Sequence, residues 1–126
     1  MDIETENITE EINEIVEKCI NCGMCKGRCP IFRALREELN SPRGRTNILK
    51  EKIFDNIVYD CSLCKSCELN CPLELKLPEA FRKARQVQAG MGKEPKGNRE
   101  MLNNIKRFGN PFGKVETGKI KKLYCC

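Results

Sequence analysis

The sequence predicts an all-α fold built around two cysteine-rich loops. Three observations predict it. Apolar residues recur at helical spacing in several segments. No segment alternates apolar and polar residues in the manner of a half-buried strand. A pattern of helix, cysteine loop, helix occurs twice, first around Cys19, Cys22, Cys25 and Cys29 with Pro30 behind them, then around Cys61, Cys64, Cys67 and Cys71 with Pro72 behind them.

The opening helix places Ile8, Ile12, Ile15, Val16 and Cys19 on one face, with Glu10 and Glu11 in its first turn and Thr5, Asn7 or Thr9 as cap. Pro30 suits a first helical position, where no amide hydrogen bond is lost, so Ile31 to Leu39 reads as a short helix. Asn40-Ser41-Pro42 breaks the chain, with Ser41 as N-cap of a helix running to about Ile57 and Leu49, Ile53 and Ile57 on one face. Leu77-Pro78 starts the next helix, with Ala80, Phe81, Ala84 and Val87 inward and Gly90 at its end. Residues 91–97 form a loop. Asn98 then caps a last helix with Met101, Leu102, Ile105 and Phe108 inward and Gly109 as C-cap. Residues 1–113 are expected to form one helical domain, and 114–126 an irregular basic tail.

Both cysteine runs read C-x2-C-x2-C-x3-C-P. This run resembles the one that bacterial-type ferredoxins use to hold [4Fe–4S] clusters. A cubane needs four thiolates aimed at the four irons of one compact object. Three cysteines at this spacing wrap one loop around three corners, and the fourth comes from elsewhere. In two-cluster ferredoxins the last cysteine of each run serves the other cluster. On that pattern Cys19, Cys22, Cys25 and Cys71 hold one cluster, and Cys61, Cys64, Cys67 and Cys29 hold the second. Among the intervening residues, Gly23 and Gly27 can take positive φ. Asn21, Ser62 and Ser66 are either polar donors to sulfur or ordinary loop residues. Ile20, Met24 and Leu63 are candidates for shielding a cluster from water.

Other uses of cysteine fit less well. Zinc sites commonly take two ligand pairs separated by a long gap, and the chain has no histidine. A disulfide framework belongs to short secreted chains, whereas the start here, Met1-Asp2-Ile3-Glu4, is acidic and lacks the apolar segment of a signal peptide. Charged residues interrupt every apolar stretch well short of a membrane span. Reduced thiols without an export signal predict the cytoplasm.

The chain has 126 residues, enough for one domain with a modest core. Aromatic residues make up only 6% of it, so bound clusters are expected to act as part of that core and the metal-free chain to be largely unfolded or molten. The formal net charge is +5. Eight thiolates and two oxidised cluster cores would bring it to roughly +1. Charge is unevenly spread: residues 1–60 carry 9 Lys/Arg against 12 Asp/Glu, and residues 61–126 carry 14 against 6. No aromatic interleaving or nucleic-acid motif accompanies the basic half. A solvated helix face or a docking surface for an acidic partner is the reading it supports.

The 31 residues between Cys29 and Cys61 read as helical, where compact bacterial ferredoxins place their runs closer and use short strands. The combination resembles the α-helical dicluster ferredoxin domain of the heterodisulfide reductase group, both its small C-type iron–sulfur subunit and the N-terminal part of its fused D-type subunit. It is similar as well to iron–sulfur subunits of glycolate oxidase, anaerobic glycerol-3-phosphate dehydrogenase and the fumarate reductase/succinate dehydrogenase class. Both cysteine runs carry the resemblance, with Ser41-Pro42-Arg43-Gly44-Arg45 and Gly109-Asn110-Pro111-Phe112-Gly113 favouring the glycolate-oxidase and D-type branch. The resemblance implies that all eight cysteines of the runs are cluster ligands. It leaves two readings of Arg43 and Arg45: cations that offset cluster charge, or solvated arginines of a helix start. The sequence alone favours the second.

Fused members of the group continue into a cysteine-rich domain with CCG-type motifs. Here the sequence ends at Leu123-Tyr124-Cys125-Cys126, which reads as free thiols or a chain truncated relative to longer relatives. No phosphate-binding glycine loop or nucleophile constellation is visible. The resemblance therefore implies an electron-transfer subunit, placed between a flavoprotein or ferredoxin and a catalytic partner, in a heterodisulfide-reductase-like or FAD-linked oxidoreductase complex. Two other readings stand beside it: the N-terminal domain of a larger CCG-domain reductase, and an iron–sulfur redox sensor.

Overall fold

A computed structural model describes residues 2–115. Cys125, Cys126 and the basic residues Lys119, Lys121 and Lys122 lie outside the described residues. Among the described residues the secondary structure is entirely helical, in agreement with the all-α expectation. The helices are α1 (Ile3–Val16), α2 (Pro30–Leu35), α3 (Pro42–Lys50), α4 (Ser66–Leu69), α5 (Leu77–Gly90) and α6 (Lys96–Phe108). Two short 3-10 turns, Glu38–Asn40 and Asn56–Asp60, connect them. No helix among the described residues is long and apolar enough to cross a membrane.

The chain divides into two compact units, Met1–Lys93 and Glu94–Cys126. In the first, α1 packs on α5 and α3. Its core gathers Ile12 and Val16 of α1, Leu49 of α3, Val58, and Leu77, Ala80, Phe81, Ala84 and Val87 of α5. Ile8 and Ile15 pack against this core from the same face of α1. The expected caps Thr5, Asn7 and Thr9 lie inside α1, whose N-cap residue, Asp2, makes no side-chain capping bond. Thr9 instead donates its hydroxyl to the carbonyl of Thr5 at 2.7 Å.

Proline and serine fix the other starts. Pro30 is the first residue of α2, and the Cys29 sulfur accepts from the Phe32 amide. Ser41 caps α3 as expected, its Oγ accepting from the Gly44 amide at 2.9 Å. The helix ends depart from the sequence pattern. α2 stops at Leu35 because Arg36 turns left-handed (φ 58°), and residues up to Leu39 are not one helix. α3 stops at Lys50 rather than near Ile57, and Lys52 reverses the chain with φ 56°. Ile53 consequently points to solvent at 54% exposure, while Ile57 is only partly buried.

In the second unit, α6 starts after Pro95 rather than at an Asn98 cap. Gly109 closes it left-handed (φ 73°), its amide bonding to the Ile105 carbonyl at 2.9 Å. Leu102, Ile105 and Phe108 are exposed, and no residue of α6 is buried.

Candidate metal centres

The two cysteine loops repeat a backbone device as well as a sequence. In the first, Asn21 and Gly23 take left-handed conformations (φ 59° and 78°). In the second, Leu63 and Lys65 do so at the corresponding positions (φ 55° and 64°). Each left-handed residue turns the chain so that successive cysteines face the same side. Gly27, by contrast, has nothing within 4 Å of where a Cβ would sit and no positive φ. Ile20 and Met24 are solvent-exposed, whereas Leu63 packs against the core.

Both loops are gripped at their first cysteine. Lys50 at the end of α3 donates to the Cys19 carbonyl at 2.7 Å. Arg85 of α5 donates to the carbonyls of Val58 at 3.0 Å, Tyr59 at 3.4 Å and Cys61. The second loop contains α4, which carries Cys67. Cys25, Cys29 and Cys67 are buried, Cys22 and Cys64 are exposed, and Cys19, Cys61 and Cys71 lie between.

The eight thiols gather around two recesses. One is lined by Cys19, Cys22 and Cys25 together with Cys71 of the second run. Gly23, Arg43, Pro72, Leu75 and Leu77 complete its wall. The other is lined by Cys61, Cys64 and Cys67 together with Cys29 of the first run. Arg45, Lys65, Pro78 and Phe81 contribute to its wall. In each, three thiols come from one loop and the fourth from the other.

Burial sets the chemistry of these thiols. Desolvation pushes Cys25 up to about 11, and negative charge on Cys19 and Cys22 adds to the effect. Desolvation likewise pushes Cys67 up to about 12, with charge on Cys61, Cys25 and Cys64 adding to it. Burial raises Cys61, against which its bond from the Leu63 amide and the cations Arg45 and Arg85 pull downward. Cys64 is lowered by hydrogen bonding to Ser66. Buried thiols of this kind ionise when something strongly positive enters the recess beside them. A thiolate-bound metal core has that character, and four thiols around a volume, rather than around one point, suit a polynuclear core.

α3 serves both recesses. Arg43 reaches the first: its Nη1 donates to the Asn21 carbonyl at 3.3 Å, and its Nε donates to Glu38 at 2.8 Å. Arg45 reaches the second and is completely buried, which corrects the expectation of a solvated side chain. A sequence signal existed for it. Pro42, Arg45, Thr46 and Leu49 are all buried and share the i, i+3, i+4, i+7 face of α3.

A helical fold with two recesses, each walled by four thiols drawn from both C-x2-C-x2-C-x3-C-P loops, defines an iron–sulfur protein. Residues 15–75 match the 4Fe-4S dicluster domain family. The chain is similar to the glycolate oxidase iron-sulfur subunit of Escherichia coli, with 27% identity over 105 residues that make up 77% of this chain and 26% of that protein. It is similar to the second C-type iron-sulfur subunit of CoB–CoM heterodisulfide reductase from Methanocaldococcus jannaschii, with 24% identity over 80% of this chain and 55% of that one. The C-type iron-sulfur subunit of the same reductase from Methanopyrus kandleri is 29% identical over 80% of this chain and 60% of that protein. The chain thus spans about a quarter of the first relative and little more than half of the other two.

Proposed function

We propose that this chain binds two [4Fe–4S] clusters and relays single electrons between them. Cys19, Cys22, Cys25 and Cys71 hold one cluster, and Cys61, Cys64, Cys67 and Cys29 hold the other. The observation that carries this reading is the crossed composition of the two recesses. When bound, the clusters supply reversible one-electron chemistry.

The chain's own residues do the rest. The crossed cysteines tie the two loops together and keep the two centres adjacent. Pro72, Leu75 and Leu77 exclude water from one recess, and Pro78 and Phe81 from the other. The carbonyl grips of Lys50 and Arg85 fix where each loop begins. The module works as an iron–sulfur subunit or domain of a heterodisulfide-reductase-like or FAD-linked oxidoreductase complex in the cytoplasm. Its partners are a flavoprotein or ferredoxin on one side and a catalytic subunit on the other. Similarity to named iron–sulfur subunits of such complexes supports the setting.

Anaerobic reconstitution followed by iron, sulfide and zinc analysis tests this reading. The expected result is about eight irons and eight sulfides per chain. EPR of the reduced protein should show spin coupling between two centres. Colourless protein carrying about two zinc ions would overturn it.

A further inference from the structure

Among the described residues, Arg45 is the largest side chain that is buried completely. Its Nε donates to the Ile57 carbonyl at 3.2 Å, and its guanidinium lies 6.0 Å from the centre of the Phe81 ring. Its terminal nitrogens Nη1 and Nη2 are buried and have no hydrogen-bond partner. Buried donors are almost always paired, and an unpaired buried charge is among the costliest features a fold can carry. The side chain lines the recess walled by Cys29, Cys61, Cys64 and Cys67. Sulfur atoms of an anionic group held there would accept from both nitrogens.

The counterpart in the other recess is different. Arg43 keeps 29% of its side chain exposed and is tied to Glu38, which also pairs with Lys26 at 2.5 Å. Its charge is matched by a carboxylate and screened by water. Lys65 adds a second, exposed cation to the Arg45 recess.

Building on the cluster occupancy proposed above, we infer that Arg45 donates hydrogen bonds to the cluster held by Cys61, Cys64, Cys67 and Cys29, and makes it the more readily reduced of the two. A single electron entering that cluster adds negative charge beside a desolvated cation whose field water does not screen. No bond forms or breaks in this step. An electron shared between the two centres would then rest at the one beside Arg45.

EPR-monitored redox titration of the reconstituted chain, with dithionite as reductant, tests this on the wild type and on Arg45→Met, Arg45→Lys and Arg43→Met. In Arg45→Met the higher of the two potentials is expected to fall by about a factor of ten in the reduction equilibrium, about 59 mV for one electron, while the lower stays. Arg45→Lys should recover part of the loss, and Arg43→Met should move either potential by less. Full iron content with both potentials unmoved in Arg45→Met overturns the inference alone, as does an equal shift of both. Absence of iron and sulfide from the wild type overturns the cluster reading and the inference with it. Should Arg45→Met fail to fold, hyperfine spectroscopy of the reduced chain labelled with 15N-arginine decides. A guanidinium nitrogen coupling retained in Arg43→Met supports the inference, and no such coupling in the wild type refutes it.

Discussion

Lys50 Nζ donates to the backbone carbonyl of Cys19 at 2.7 Å, joining the end of α3 to the first cysteine of the first loop. Arg85 makes the same grip on the carbonyl of Cys61. Two cations from two different helices therefore fix the starting point of the two cysteine runs. Hydrogen bonds from charged groups contribute about 1.5–3 kcal/mol when partly buried. Lys50→Met keeps the apolar stem and removes only the donor. It should speed chelator-driven loss of the visible chromophore by about tenfold, the ratio that the low end of that range represents. An unchanged rate would mean that the loop is held without this bond.

Glu38 joins two cations, Lys26 and Arg43, the second of which lines the first recess. Hydrogen bonds from Arg43 and then Lys26 hold its carboxyl down to about 2, against an ordinary value near 4.5. Because the folded value is the lower one, the carboxylate stabilises the fold fully above the ordinary value. That contribution fades as pH falls through about 2. The group is about half exposed, so solvent screening keeps the effect small. Glu38→Gln should melt below the wild type at about pH 6, and the gap should narrow by about pH 3. A gap that stays constant over that range, measured as anaerobic thermal midpoints, would separate Glu38 from the acid response.

Gly44 tests how closely α3 approaches the turn before it. A Cβ at this position would overlap the backbone carbonyl of Glu38. Helix propensity alone favours alanine over glycine by about 1 kcal/mol. Overpacking against backbone costs about 1–3 kcal/mol. Gly44→Ala is therefore expected to lower stability in denaturant unfolding, whereas Gly27→Ala, with open space around its Cβ, should be neutral. A stabilised Gly44→Ala protein would contradict the close approach.

These sites also mark where sequence reading reached its limit. The start of α3 was legible because a serine cap and a proline at the first helical position are local chemistry, and Ser41 and Pro42 do what such residues do. The same holds for the left-handed Gly109 after α6. The end of α3 was not legible. Ile53 and Ile57 continue the phase of Leu49, and the reversal falls on Lys52, a residue type that gives no turn signal. The crossed gathering of thiols was legible from spacing and precedent, since a loop of three needs a fourth. The burial of Arg45 was legible only in the phase of α3, where it shares a face with Pro42, Thr46 and Leu49; residue type pointed the other way, because an arginine enters a core only when tertiary structure gives its charge a reason to be there.

Cys71 separates the crossed arrangement from a simple one. It follows α4 in the second loop, yet it lines the recess of Cys19, Cys22 and Cys25. In a simple arrangement each run would serve its own centre, and losing Cys71 would harm the centre of Cys61, Cys64 and Cys67. In the crossed arrangement the harm falls on the first run. Cys71→Ser should leave about four irons bound, with the surviving EPR signal keeping the potential of the Arg45 recess. Cys29→Ser should do the reverse and spare the recess beside Arg43. Comparing the surviving potentials of the two variants assigns each centre to its loop. If Cys71→Ser instead keeps the signal that Cys29→Ser was expected to keep, each loop holds its own cluster and the fourth thiols do not cross.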